Sequence, residues 1–575
     1  MTATGGRALF TRQSSGLVRE VSVTNALFFN TAAFIGAGVG WYPVFYSLAF
    51  VPIGTYVAFT TYGWASIIVG AFCVLLALIF ASLTSVMPRS GGDYVFTSRI
   101  VPKIGPFIGW LESWTLAFAS LAIIAFEVPI VVRNLQITGR IVGIGTGSEF
   151  FNGANTWFTD ETGAVTGVPG FIASLAVLAL IALITFQAVR RFHRIITWLA
   201  VLGLLGAALM FVVGMVAITP ENFAANLPQY SGGVTVDQLA AAGDAAGFKT
   251  TGLDLTPGLF AFIAGIVLLN YIGFQYSAYI SGEIRGNVRR GVLIALLGAL
   301  AIAVFMNSVY TDFISDRLGI DGQVAWGAIY WGFISDPALP LGQPNSMPLM
   351  GVIASPGLWP IWTIVSLSVT LFPFLLCPVY VAFLSRVQLA WSLDRQVPEW
   401  FGRVSERLHA PANAILAAIL VAGVLALLQN FPILRAVGLG FLAPVDGKLN
   451  LVSTLWFSIL AAGLTWIMPG VNALLVRWTR PDIAKDAPFL MWLPAMGIVW
   501  VVMTVGLYWY AGISPILNRV GAGAEESQLD YLNRTGITMT LVIFAAGVVV
   551  YLIQAARNRA AGIDTRLMYQ EIPPD

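Results

Sequence analysis

Charge is what this chain has least of: Asp, Glu, Lys and Arg make up 10% of its 575 residues, against 58% that are hydrophobic. No water-soluble fold of this length tolerates that balance, so the lipid bilayer is its solvent. Its 30 basic and 28 acidic residues nearly cancel and sit in short segments between apolar runs. With no basic face, nucleic-acid binding is excluded. The two histidines, His193 and His409, are far apart in sequence and form no metal motif. Cys73 and Cys377 lie inside apolar runs, where a thiol packs, so no outer-loop cysteine is offered for a disulfide to a partner chain. There is no Walker A segment, and neither enzyme chemistry nor a cofactor or metal is expected. Residues 1–23 are polar, with Arg7, Arg12 and Arg19. The apolar run after them has no small-residue cleavage site, so a retained helix is expected rather than a cleaved signal.

What is present is apolar length. A spanning helix needs about 20 apolar residues, and twelve runs qualify, starting near residues 24, 64, 108, 169, 194, 257, 291, 356, 411, 450, 488 and 535. The chain therefore reads as an all-α integral membrane protein with twelve transmembrane helices and both termini on one side. Of the 30 Lys and Arg, 22 fall in the loops and tails on the side of the termini. The positive-inside rule makes that side cytoplasmic, and the expected location is the cell's plasma membrane. The expected organisation is a cytoplasmic tail at 1–23, helices one to five at 24–219, an outer loop at 220–256, helices six to ten at 257–478, helices eleven and twelve at 479–556, and a cytoplasmic tail at 557–575.

Two runs carry helix-breaking sequence at their centres. "FIGAGVGWYP" (Phe34 to Pro43) packs three glycines and a proline into the first run, and "NYIGFQY" (Asn270 to Tyr276) interrupts the sixth. Glycine without a Cβ and proline without a donor leave backbone N–H and C=O groups unpaired, which hydrocarbon permits only where a cavity, a neighbouring helix or a ligand satisfies them. Gly36 and Gly40, four apart, would also serve close helix packing. Breaks in the first helix of each half of five point to an inverted-repeat transporter with its substrate between the half-helix ends. The N–H groups of Ile35, Gly36, Ala37, Gly38, Val39 and Gly40 would take a carboxylate. Carbonyls near Asn270, Tyr271 and Gly273 would take an ammonium. Tyr271, Phe274, Gln275 and Tyr276 would line the pocket with Phe34 and Trp41, which favours a neutral, apolar or aromatic amino acid over a cation.

At these residues the chain resembles the amino acid/polyamine/organocation permeases. "IGAGV" (Ile35 to Val39) resembles that family's first-helix glycine motif, with Gly40 where a large apolar residue is usual. "NYIGFQYSAYISGEI" resembles the sixth-helix motif through Tyr271, Gly273, Phe274 and Glu283, with Gln275 in place of a common acidic residue. "MPRSGGDYVF" (Met87 to Phe96) and "RVQLAWSLDRQVPEWFGRV" (Arg386 to Val404) resemble the inner loops after helices two and eight. The resemblance implies a LeuT-like five-plus-five inverted repeat with discontinuous helices one and six. It further implies amino-acid transport by alternating access, with Arg89, Asp93, Glu283 and Arg386 as inner-gate candidates. Local turn chemistry and ion pairing account for the same four residues without a gate.

A coupling ion needs an ionisable group inside the membrane. Glu112 and Glu127, on the third run, are the acids there. Glu112 lies near the inner interface and reads as structural, while Glu127 is deeper and is the candidate proton site. Sodium would instead use helix-eight hydroxyls, Ser366, Ser368 and Thr370. Exchange without an ion, and a receptor that binds without turnover, are alternatives. A receptor would want a large cytoplasmic extension, and a channel a polar stripe, and the chain has neither. The expected partners are a small-molecule amino acid, a proton or sodium ion, and lipid, in a monomer or homo-oligomer. "AWGAIYWGF" (Ala325 to Phe333) is expected to form a short helix over the outer vestibule.

Overall fold

The computed structural model describes residues 16–34, 55–56, 59–159, 165, 167–247, 257–331, 334, 336, 338–339, 341, 344–430, 447–514, 517 and 528–572. A helix lies in each of the twelve apolar runs. These are α1 (Val23–Phe34), α2 (Thr61–Val86), α4 (Gly105–Thr146), α5 (Gly167–Thr185), α6 (Val189–Ala217), α7 (Pro257–Tyr271), α8 (Val288–Phe305), α9 (Trp359–Leu393), α10 (Ala412–Asn430), α11 (Gly447–Thr479), α12 (Leu493–Tyr508) and α13 (Gln528–Ala560). A short helix, α3 (Asp93–Ile100), follows α2. Among the described residues, seven helices are long and apolar enough to cross a bilayer.

The centre of the bundle is α4. Its 42 residues run about 63 Å at 1.5 Å per residue, twice the roughly 30 Å of a hydrocarbon core. It packs along α9 and against α10 and α11. Indole N–H groups, which hydrocarbon cannot satisfy, tie it laterally. Trp110 Nε1 donates to the Gly547 carbonyl at 2.8 Å and Trp114 Nε1 to the Ile543 carbonyl at 2.9 Å, both on α13. Trp391 Nε1 of α9 donates to Ser113 Oγ at 2.8 Å. Each such bond stabilises a membrane bundle by about 0.6–2 kcal/mol.

The outer segments are helical where composition suggested loops. The sequence places an outer loop from about residue 134, but α4 continues to Thr146 because Ile137, Ile141 and Ile144 recur at helical spacing and are buried. Pro220–Tyr230 and Val236–Ala245 are amphipathic helices, each started by a threonine cap, Thr219 and Thr235. Ile320–Trp331 is a further helix in the outer segment, covering most of the predicted short helix.

Candidate functional site

The α7 helix stops at Tyr271, and a three-ten segment, Tyr276–Glu283, carries the chain inward. Between them Gly273 has φ +107°, a left-handed conformation that a side chain rarely adopts. A methyl there would lie 2.4 Å from Ala33 Cβ and 2.9 Å from the Ala33 carbonyl carbon, so the last turn of α1 sits directly against the break. Asn30 of α1 then supplies what the interrupted helix lacks. Its Oδ1 accepts from the Ser277 amide at 2.7 Å and its Nδ2 donates to Ser277 Oγ at 3.0 Å. Ile35, Gly36, Ala37, Gly38, Val39 and Gly40, named from the sequence, lie outside the described residues, as does Trp41.

The side chains around the break divide into two groups. Asn270 and Tyr271 turn toward α2: Asn270 Nδ2 donates to the Tyr62 hydroxyl at 2.6 Å and to Asn307 Oδ1 at 3.2 Å, and the Tyr271 hydroxyl donates to the Ser66 carbonyl at 2.8 Å. Asn307 sits in a π-helical turn, Met306–Tyr310, an irregularity that frequently marks a functional site. Gln275 folds back so that its Oε1 accepts from the Gly273 amide at 3.1 Å. Its Nε2 is buried with no hydrogen-bond partner among the described residues, a donor left for an acceptor. Next to it the Tyr276 ring stacks on Phe383 of α9 (centroids 4.1 Å, 23°) and meets Tyr380 edge-on at 5.0 Å. Phe274 is fully buried.

Glu127 is 2% exposed, and its Oε2 has no hydrogen-bond partner among the described residues. It lies within electrostatic reach of Cys377 and Tyr380, midway along α9. Pro129 in α4 and Pro378 in α9 fall next to this point and deprive the Ala125 and Phe374 carbonyls of their helical donors. A carboxyl and two under-bonded carbonyl groups thus occupy the middle of the bundle.

At the end of the three-ten segment, Glu283 and Arg386 form a two-pronged ion pair, Nε to Oε1 at 2.7 Å and Nη2 to Oε2 at 2.9 Å, with both side chains buried. Asp93 and Arg89 meet the same three-ten segment elsewhere. The Tyr279 hydroxyl donates to Asp93 Oδ2 at 2.5 Å, and Ser281 Oγ donates to the Arg89 carbonyl at 3.1 Å. A second buried pair, Arg99 with Asp394 at 2.6 and 2.7 Å, joins α3 to the end of α9. The C-terminal residues cover it: the Tyr569 ring lies 5.0 Å from the Arg99 guanidinium, and Arg99 Nε donates to the Glu571 carbonyl at 3.3 Å.

The three helix-eight hydroxyls do not converge. Ser366 Oγ is 2.7 Å from Thr138 Oγ1 of α4, Ser368 faces Gly206 of α6, and Thr370 donates to the Ser366 carbonyl of its own helix at 2.7 Å. Sequence reasoning overlooked Asn30, a lone amide in "LFFNTAAF" whose placement in an apolar run was the available signal. It also left Arg133 at the outer margin. The structure buries Arg133 within α4 and sets its Nη1 2.7 Å from the Tyr330 hydroxyl on the outer helix.

A multi-pass bundle whose sixth-run helix breaks against its first, with buried ion pairs among its helices, has the build of a small-molecule transporter rather than an enzyme. The description of the amino acid permease family matches residues 26–522, and the chain belongs to that family. It is also similar to a methylthioribose transporter of Bacillus subtilis (strain 168), with 22% identity over 444 residues, covering 75% of this chain and 80% of the relative.

Proposed function

We propose that the protein is a secondary active transporter that carries a neutral or apolar amino acid across the plasma membrane by alternating access, coupled to protons at Glu127. In this reading it has twelve spanning helices in a LeuT-like five-plus-five repeat, with α1 and α7 the discontinuous pair and both termini cytoplasmic. The observation that carries it is the buried contact of Ala33 with Gly273, beside the partnerless Gln275 Nε2. That donor would meet a substrate oxygen, and the N–H groups of Ile35 to Gly40 its carboxylate. Arg89, Asp93, Glu283 and Arg386 form the inner gate, which must part for release. The dispersal of Ser366, Ser368 and Thr370 favours the proton over sodium.

A second reading concerns the substrate. The related methylthioribose transporter and the neutral Gln275 favour an uncharged thioether sugar as the alternative cargo. The test is uptake into proteoliposomes of a radiolabelled amino-acid panel and of methylthioribose, under a proton gradient, a sodium gradient or internal unlabelled solute. Accumulation of a neutral amino acid driven only by inward protons, and lost in Glu127→Gln, is the expected result. Sodium-driven uptake, or uptake only against internal substrate, overturns the proton assignment, and binding without uptake under any condition overturns transport.

A further inference from the structure

On the cytoplasmic side α3 crosses α4 at Gly109, where a methyl would lie 3.1 Å from the Ser98 nitrogen and 3.1 Å from the Tyr94 carbonyl oxygen. That close approach sets Tyr94 and Ser98 of α3 on α4, and the residues just before them, Asp93 and Thr97, one helical turn apart, come within reach of Glu112, three residues past Gly109. Both acids are buried, at 1% and 6% exposure. Asp93 Oδ1 has no hydrogen-bond partner among the described residues, and Glu112 has none there but the Thr97 hydroxyl. Asn472 of α11, fully buried, fixes its Nδ2 on Thr97 Oγ1 at 2.8 Å and leaves its own Oδ1 without a partner. Four acceptor oxygens thus gather beside Thr97, whose hydroxyl faces Glu112. The donors they have are the Thr97 hydroxyl toward Glu112 and the Tyr279 hydroxyl on Asp93 Oδ2. Positive charge is what such a site lacks.

We propose that Asp93 and Glu112 hold one proton between them, forming a second cation site on the cytoplasmic side, separate from Glu127. Two ionised carboxylates side by side in an apolar setting repel, and a single proton turns one into a donor for the other. The proton comes from water: one carboxyl O–H forms and the second carboxylate accepts its hydrogen bond. Glu112 from α4 and Tyr276 and Tyr279 from the three-ten segment are the titratable groups that face Asp93. The buried cations on this side, Arg99 and Arg386, are engaged by Asp394 and Glu283. Burial pushes the Asp93 carboxyl up to about 7, against the opposing effect of the Tyr279 hydroxyl. Because Tyr279 belongs to the segment that ends at Glu283, the proton's departure bears on the pair that closes the inner side. That last link rests on the transport reading above; the binding of the proton does not.

The experiment is infrared titration of the full-length protein in liposomes, without substrate, in heavy water. Wild type is expected to lose a protonated-carboxyl band as pH rises through neutrality. Set in Glu127→Gln, which removes the other buried acid and is expected to keep the band by itself, the double variant D93N/E112Q is expected to lack it. Tyr279→Phe, which keeps both acids but removes the hydroxyl that favours the ionised form, is expected to keep the band and shift its midpoint upward. The site is overturned if the double variant keeps the band, if Glu127→Gln alone removes it, or if sodium chloride displaces it in wild type and so assigns the oxygens to a metal cation. If the double variant does not fold, Tyr279→Phe decides: an unmoved midpoint overturns the site. Loss of proton-driven uptake in Glu127→Gln bears on the coupling reading alone, since the titration needs no transport.

Discussion

Asn30 and Ser277 exchange two hydrogen bonds, 2.7 and 3.0 Å, across the junction of α1 with the segment beyond the α7 break. The amide thus performs inside the bundle the task that a helix cap performs in water. An amide side chain on α1 holds the backbone of a helix that has lost its own ladder.

Asn30→Ala leaves the Ser277 amide buried without an acceptor, which costs about 1–3 kcal/mol. A lowered melting temperature and reduced uptake are expected, with Ser277→Ala milder because the backbone bond survives. Thermal unfolding in detergent checks this, and equal melting of Asn30→Ala and wild type would count against it.

Breaking the Glu283–Arg386 pair strands one buried charge, at about 3–5 kcal/mol for loss of a single partner. Glu283→Gln is expected to loosen the inner side and Arg386→Met to do the same with a larger loss of fold stability. A reporter cysteine placed below the pair is expected to react faster with a thiol reagent applied from the cytoplasmic face. Unchanged reactivity would show that the pair does not close that side.

Gln275→Glu restores an acid at the break where the chain carries a neutral amide. Cationic amino acids are then expected to compete for uptake about tenfold better, equivalent to about 1.4 kcal/mol of new attraction. Competition by lysine and arginine against labelled neutral substrate is the measurement, and an unchanged order of competitors removes Gln275 from the pocket.

Asp93 sets a pH dependence with a defined sign. Its acidity is weakened by burial from the ordinary 3.8 to about 7, so its contribution to the closed inner arrangement is full below about 4 and is lost as pH rises through about 7. Inner-side thiol labelling is expected to quicken over that rise in wild type and to be flat in D93N. A dependence of opposite sign would contradict the burial seen here.

Much of this was legible in the sequence because lipid imposes simple rules. Run length located the helices, and the glycine and tyrosines of "NYIGFQY" located the break, since unpaired backbone has few places to go in hydrocarbon. The partners of Glu283 and Asp93 were not legible, because Arg386 and Tyr279 reach them from 103 and 186 residues away and no periodicity encodes such distances. Helix α4 was read too short for a different reason. "NLQITGRIVGIGT" looks like loop by composition, and only its buried face, Ile137, Ile141 and Ile144, gives it away. The side-chain partners of Asn270 and Tyr271, which lie on α2, have no signal in the sequence either.

The long central helix carries Glu112, Glu127 and Arg133 in that order, and its single internal proline, Pro129, falls between the last two. A backbone ladder missing one rung bends there more readily than anywhere else along its length. The missing rung runs from the Ala125 carbonyl to Pro129, so Glu127 sits on the joint itself, between a lower arm that carries Glu112 and an upper arm that Arg133 ties to Tyr330.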